Sequence, residues 1–321
     1  MREAAFIKQN KDKWLRFENV LKNNIQISPD ELSALYIEVT DHLSYAQTFY
    51  PKSQTLSYLN SLSILAHQKI YKSKKESRNR LITFYTKEFP LFFYSYQKHL
   101  LVSFLTFFLF SLIGGYSAAT DVDFVRLIMG DSYVNMTLDN IEKGDPMAVY
   151  KKMGEMEMFL GITINNIRVA LNAFVFGVFL SIGTLFILMR NGIMLGSFQY
   201  FFYEHGVFWE SVSTIWIHGT IEISVIIVAG AAGLVLGNSI LFPGTYTRIH
   251  SFIRGAKAGL KILMSTIPFF IIAGFLEGYV TRHTDMPYWL SFFIIGGSLF
   301  LILYYYIFYP IKLNKLHERS N

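Results

Sequence analysis

His218 and Glu222 stand four residues apart within Val212–Leu236, a stretch that is otherwise uncharged. On a helix that spacing puts both side chains on one face, within hydrogen-bonding reach. An ionisable group near the middle of a hydrocarbon layer costs about 2.5–3.5 kcal/mol on insertion scales, so such a group is kept for a reason. The pair could carry a proton, hold a cation or bind a polar substrate. It could equally be a clamp between helices, with Asn172 or Glu277 as the partner. Glu277 lies in Phe275-Leu276-Glu277-Gly278-Tyr279, toward the end of the next apolar stretch, and Arg282 follows a little over one turn later. A zinc site takes three or four ligands. His218, Glu222 and Glu277 supply three if the helices that carry them meet.

Other chemistries are excluded or weak. The chain has no cysteine, so thiol catalysis, disulfides and cysteine-held metals are ruled out. There is no phosphate loop of the G-x-x-x-x-G-K-[ST] type and no serine-nucleophile elbow. Met153, Met156 and Met158 around Glu155 and Glu157 would suit copper(I), but methionine is also an ordinary gap-filler. No motif names a cofactor.

The elements that position these residues are membrane spans. Charged residues make up 16% of the chain, against about 25% in soluble domains, and from Leu100 onward long uncharged runs dominate. The net charge of +6 therefore reads as basic loops facing an anionic membrane surface, not as a nucleic-acid footprint. Five runs approach the ~20 residues a crossing helix needs: Leu100–Ala119, Val169–Met189, Val212–Leu236, Ile262–Val280 and Tyr288–Tyr309. Arg168 and Arg190 bound the second, and Asn172 interrupts it. Residues 120–167 lack a basic excess and read as an outer loop. Residues 238–261 carry Arg248, Arg254, Lys257 and Lys261 without an acid and read as inner. Reconciling both requires a sixth, short crossing at Asn191–Val207, tilted or partly re-entrant. About six transmembrane helices result, in an all-α polytopic membrane protein of the bacterial inner membrane with both termini cytoplasmic. Ala229, Gly233 and Gly237, four apart, permit close helix contact in lipid.

Residues 1–80 read as a cytoplasmic helical domain. The start is charged without an apolar core, so no cleavable signal peptide is expected. Ile7, Trp14, Phe17 and Leu21 form one apolar stripe. Ser28-Pro29-Asp30-Glu31 is a capping box, and the helix it opens carries Leu32, Leu35, Tyr36, Val39 and Leu43 up to Pro51. A third stripe runs through Leu56, Leu59, Leu62, Leu65 and Ile70. After the basic run Lys72, Lys74, Lys75, Arg78 and Arg80, the aromatic residues 81–98 suit an interfacial segment. Residues 99–311 form the transmembrane domain and 312–321 a cytoplasmic tail.

These residues resemble the stage II sporulation protein M family of membrane proteins. The resemblance rests on Asn191-Gly192-Ile193-Met194-Leu195-Gly196, His218-Gly219-Thr220-Ile221-Glu222, Ala229-Gly230-Ala231-Ala232-Gly233-Leu234 and Phe275-Leu276-Glu277-Gly278. Trp14, Phe17 and Glu18, with Tyr58-Leu59-Asn60 and Ala66-His67, are similar to the N-terminal region of the longer members. The sporulation member is a membrane scaffold acting with peptidoglycan-remodelling partners, not itself a hydrolase. The resemblance thus implies a scaffold or assembly protein that recruits membrane or envelope proteins; apart from the resemblance, a homo-oligomer is a further expectation. The rival expectations are a transporter or channel subunit and an intramembrane metal-dependent enzyme. A closed His–Glu pair would favour the scaffold, and a cavity reaching the pair would favour transport.

Overall fold

The computed structural model describes residues 2–23, 25, 27–70, 80–151, 154–283 and 286–320. All regular structure among them is helical, and the chain divides into two compact units, Met1–Arg80 and Leu81–Asn321.

The first unit contains α1 (Glu3–Lys22), α2 (Pro29–Phe49) and α3 (Gln54–Ile70). Ser28 caps α2, its Oγ accepting from the Glu31 backbone N–H at 3.1 Å. Phe6, Trp14, Phe17, Val39, Leu59 and Leu62 are buried together, with Ala46 and Ala66 where helices approach closely. Leu65, expected on the inner stripe, is 43% exposed, and Ala66 takes the inner position. The small residue lets α3 lie closer to its neighbours than a leucine would. The Lys69 ammonium donates to the Val20 and Leu21 carbonyls at 2.8 and 3.2 Å, satisfying orphan acceptors at the end of α1.

Within this core the Trp14 indole N–H donates to His42 Nδ1 at 3.1 Å, which needs that nitrogen unprotonated. Burial holds the His42 pKa below its ordinary value. The unfolded chain then binds more protons than the folded one below about pH 6.5, so stability is full above that pH and falls as the solution is acidified. Amide protection in α1 and α2, corrected for intrinsic exchange rates, is expected to drop between about pH 7 and 5. A His42→Gln chain should lose that dependence, and an unchanged profile would assign it to other groups.

In the second unit a short lead-in comprises α4 (Arg80–Thr83), a π turn (Phe84–Glu88) and α5 (Phe89–Tyr94). Leu81 and Ile82 are exposed, whereas Phe89 and Phe93 are fully buried against Tyr305 and Tyr306. Tyr305 and Tyr309 hydroxyls donate to the Tyr85 and Thr86 carbonyls at 3.0 and 2.7 Å, which ties the segment to the last long helix. Of the basic run before it, only Arg80 is among the described residues.

The long helices follow: α6 (Gln97–Thr120), short α7 (Phe124–Met129) and α8 (Asp131–Glu142), α9 (Glu155–Val175), α10 (Ile182–Glu204), α11 (Phe208–Leu241), α12 (Arg248–Phe275), α13 (Tyr288–Leu303) and α14 (Tyr309–Ser320). A π turn (Leu276–Val280) extends α12, and another (Tyr304–Phe308) joins α13 to α14. Among the described residues five helical stretches are long and apolar enough to cross a membrane: Gln97–Thr120, Glu155–Val178, Phe208–Leu241, Arg248–Val280 and Tyr288–Arg319. The protein is therefore a multi-pass membrane protein whose environment is a lipid bilayer. The most apolar window of α11 is 83% buried, against 17% and 22% for α6 and α9. A helix that is apolar all round and covered on every side is the core of a bundle, so α11 is central and the others present lipid faces.

The structure moves two boundaries. The stretch Val169–Met189 is not one span, because the chain breaks after a 3-10 turn (Phe176–Val178) and reverses at Leu180 and Ser181, whose φ values are +54° and +68°. The crossing helix begins instead at Glu155, so much of the expected outer loop 120–167 is helical, in α7, α8 and the first half of α9. Arg168 and Arg190, expected at span ends, lie inside α9 and α10. The short segment Asn191–Val207 becomes the second half of α10 and the turn that follows it, and the 23 residues of α10 reach about 34 Å at helical rise. Glu155 and Glu157 occupy the first turn of α9, where negative charge is favoured by the helix dipole.

Candidate functional site

Close backbone approach sets up the site. A Cβ on Gly274 would stand 2.1 Å from Thr163 Oγ1, and one on Gly278 would stand 2.9 Å from the Glu155 carbonyl. Both glycines therefore let α9 lie directly on the end of α12. Three residues after Thr163, α9 presents Asn166.

The sequence pair His218 and Glu222 lies on α11 as its spacing requires, and Glu277 reaches it from the π turn that extends α12. One ligating atom from each of the three lies within 4.8 Å of the others. His218 Nε2 is 3.6 Å from Glu277 Oε2, and the Glu222 and Glu277 carboxyls are within hydrogen-bonding reach of each other. Two carboxyls so placed in a low-dielectric interior need a proton or a cation between them. His218 and Glu277 are 3% and 8% exposed, so their charges have little water to rely on.

Two further residues orient the cluster, and the sequence did not single them out. Asn166 Nδ2 donates to Glu222 Oε1. Thr281 Oγ1 is 2.9 Å from His218 Nδ1 and also donates to the Leu276 carbonyl at 3.2 Å. The π turn makes this possible: its i→i+5 bond, Thr281 N–H to Leu276 carbonyl at 2.8 Å, brings the Thr281 side chain back over the helix end. The signal for Asn166 was present in Asn165-Asn166, two amides inside an otherwise apolar helical window. Asn172, expected as a direct partner of the pair, lies farther along α9. It faces the same cavity, with no hydrogen bond to the cluster among the described residues.

That cavity has a volume of about 870 Å³ and lies among α9, α10 and α11, with Leu127–Met129 and Tyr133 of α7 and α8 at one side. His218, Glu222 and Glu277 are on its wall, with Asn165, Asn166, Asn172, Arg190 and Asn191. Asn165, Asn172 and Arg190 are exposed, so the cavity is an open groove. α10 and α11 form an antiparallel pair around the turn 205–207, which sets Arg190 at about the height of Glu222. Arg190 has no hydrogen bond or ion pair among the described residues. The groove thus offers carboxylates and imidazole at one place and a guanidinium at another. Of the methionines weighed for copper, Met153 lies outside the described residues, Met156 is exposed and Met158 is buried, so the two described side chains do not share an environment.

A model of the family described as stage II sporulation protein M matches residues 59–282. The chain belongs to that family. In this stage II sporulation protein M family chain the matched region runs from α3 to just past the π turn, so it includes His218, Glu222, Glu277, Asn166 and the groove. A second model, of a domain of unknown function (DUF8413), matches residues 4–72, over the three N-terminal helices. No curated protein and no solved structure matches the chain.

Proposed function

We propose that this family member is a transporter or channel subunit, in which the groove admits an ion or small polar solute to His218, Glu222 and Glu277. The observation that carries this reading is the groove itself, about 870 Å³ in volume and reaching the cluster. Binding sites for small molecules have volumes of about 300–1,000 Å³ and hold a few convergent polar groups. An interhelical clamp would need the same three side chains but no groove beside them. The orientation that goes with this reading puts the protein in the bacterial inner membrane with both termini cytoplasmic, and residues 191–207 as the outward half of a sixth crossing.

Proteoliposomes containing dyes for protons and for divalent cations test it. Wild-type protein is expected to give a flux above that of protein-free vesicles, and Glu222→Gln to remove it. Equal flux with and without protein, for both kinds of ion and for a polar solute trapped in the vesicles, would overturn the proposal.

The scaffold reading has its own support in the N-terminal unit, which has a separate apolar core and its own family match at residues 4–72. In this role residues 1–80 recruit membrane or envelope proteins, and the transmembrane helices hold them at the bilayer. A chain lacking residues 1–80 should then lose co-purifying envelope proteins yet keep any flux. Loss of flux with unchanged partners would assign that unit a different role.

A further inference from the structure

We propose that His218, Glu222 and Glu277 bind one divalent transition-metal ion of the zinc class, with its remaining coordination position facing the groove. The inference rests on reading the groove as the functional site and names what the cluster takes.

The first support is the histidine tautomer. Thr281 has one hydroxyl proton, and it is donated to the Leu276 carbonyl. With that proton on the carbonyl, the Thr281 oxygen accepts from His218, and in that tautomer Nδ1 carries the ring hydrogen and Nε2 presents a lone pair. That lone pair faces Glu277 Oε2 at 3.6 Å, which is too long for a hydrogen bond. Two ligands on one tetrahedral ion, each bound at about 2.0–2.1 Å, are about 3.3–3.4 Å apart. The observed separation is close to that, and rotation of the carboxyl side chains brings the third ligating atom, within 4.8 Å, into range.

The second support is the outer shell. Histidines that bind metal usually donate their other ring N–H to an oxygen, and ligating carboxylates are themselves hydrogen-bonded. Thr281 does the first for His218, and Asn166 does the second for Glu222.

The third support is charge and ligand type. Two carboxylates and a neutral imidazole total two negative charges where the His218 and Glu277 side chains are largely buried. One divalent cation neutralises both, where a single shared proton leaves one uncompensated. Calcium takes six to eight oxygen ligands and magnesium a near-octahedral, largely hydrated set. Three ligands that include an imidazole nitrogen, in a chain without cysteine, suit zinc and its neighbours in the first transition row. The groove beside the cluster is where a fourth ligand, water or a solute, would stand.

The test uses full-length protein purified in detergent by a tag without histidines, stripped with chelator and titrated with Co²⁺ and then Zn²⁺. We expect about one equivalent, d–d absorption of a four- or five-coordinate Co²⁺ site, displacement by Zn²⁺ and a raised thermal midpoint. His218→Gln should abolish the spectrum, and Asn166→Ala should keep it with affinity lowered about 10–100-fold. Absence of binding to the wild-type chain overturns the inference even if a variant fails to fold. Unchanged binding by a folded His218→Gln chain overturns it too, because the ion would then sit elsewhere. No metal together with a proton flux that Glu222→Gln removes would leave the transport proposal standing and this one fallen. Stoichiometric metal without any flux would do the reverse.

Discussion

Glu222→Gln is expected to leave the protein folded and to remove its flux. Glutamine has the shape of glutamate, so the helix face is unchanged and Asn166 still finds an oxygen to donate to. The new amide N–H can donate to Glu277, whose carboxyl is within reach. No buried donor is stranded, and the stability change should stay within about 1 kcal/mol, the range of a single neutral hydrogen bond. What is lost is charge. An amide neither titrates nor balances a cation, so affinity for a positively charged ligand should fall by about a hundredfold or more, as the loss of a charge-assisted contact of 3 kcal/mol implies. The readouts are the detergent melting temperature and proteoliposome flux, measured on one preparation. Collapse of both would return the pair to the role of an interhelical clamp.

Gly233→Leu should do the opposite, harming assembly without touching the cluster's chemistry. Gly233 lies on the central helix α11, where a Cβ would stand 2.2 Å from the Ala173 carbonyl and 2.3 Å from Thr184 Oγ1. Those two atoms are themselves bonded, Thr184 donating to Ala173 at 2.7 Å, and they tie α9 to α10 just beyond the reversal at Leu180 and Ser181. A side chain there must part three helices and break a buried hydrogen bond. Overpacking alone costs about 1–3 kcal/mol, and the lost bond adds to it. Taking a total of about 3 kcal/mol, at roughly 2–4 °C per kcal/mol the midpoint should fall by about 6–12 °C. Gly219→Ala is the control on the same helix, since its Cβ meets only Ile215 Cγ2 at 3.9 Å. Equal stability of the two variants would mean that the helices do not approach as described.

The sequence made some of this visible because the signals are local. The Ser28 cap, the His218–Glu222 spacing and the small residues Ala229, Gly233 and Gly237 each depend on positions a turn or so apart. The reversal at Leu180 and Ser181 was hidden because Phe-Val-Phe-Gly-Val-Phe-Leu-Ser-Ile-Gly is apolar throughout, and two non-glycine residues with positive φ are not foreseen from residue type. With that reversal hidden, Arg168 and Arg190 passed for span ends, and the amides Asn165 and Asn166 fell into an apparent loop. Convergence of Glu277 and Thr281 on His218 depends on how α12 packs against α11 and on a π turn, both tertiary facts. Asn172 was singled out because it interrupts an apolar run, but that run belongs to two helices, and Asn166 is the residue that turns to Glu222.

A solute can reach the cluster only if the groove is open to water that far, and the absence of cysteine makes that directly measurable. Single cysteines at Asn172, in the groove, and at Leu171, exposed on α9 but not part of the groove lining, would be treated in intact membranes with a charged thiol reagent that cannot enter lipid. Such reagents attack the thiolate, which forms only where water reaches the sulfur. Asn172→Cys is predicted to react rapidly while Leu171→Cys stays silent. Two equally unreactive cysteines would mean a closed bundle and would contradict the reading of His218, Glu222 and Glu277 as a site that a solute can reach.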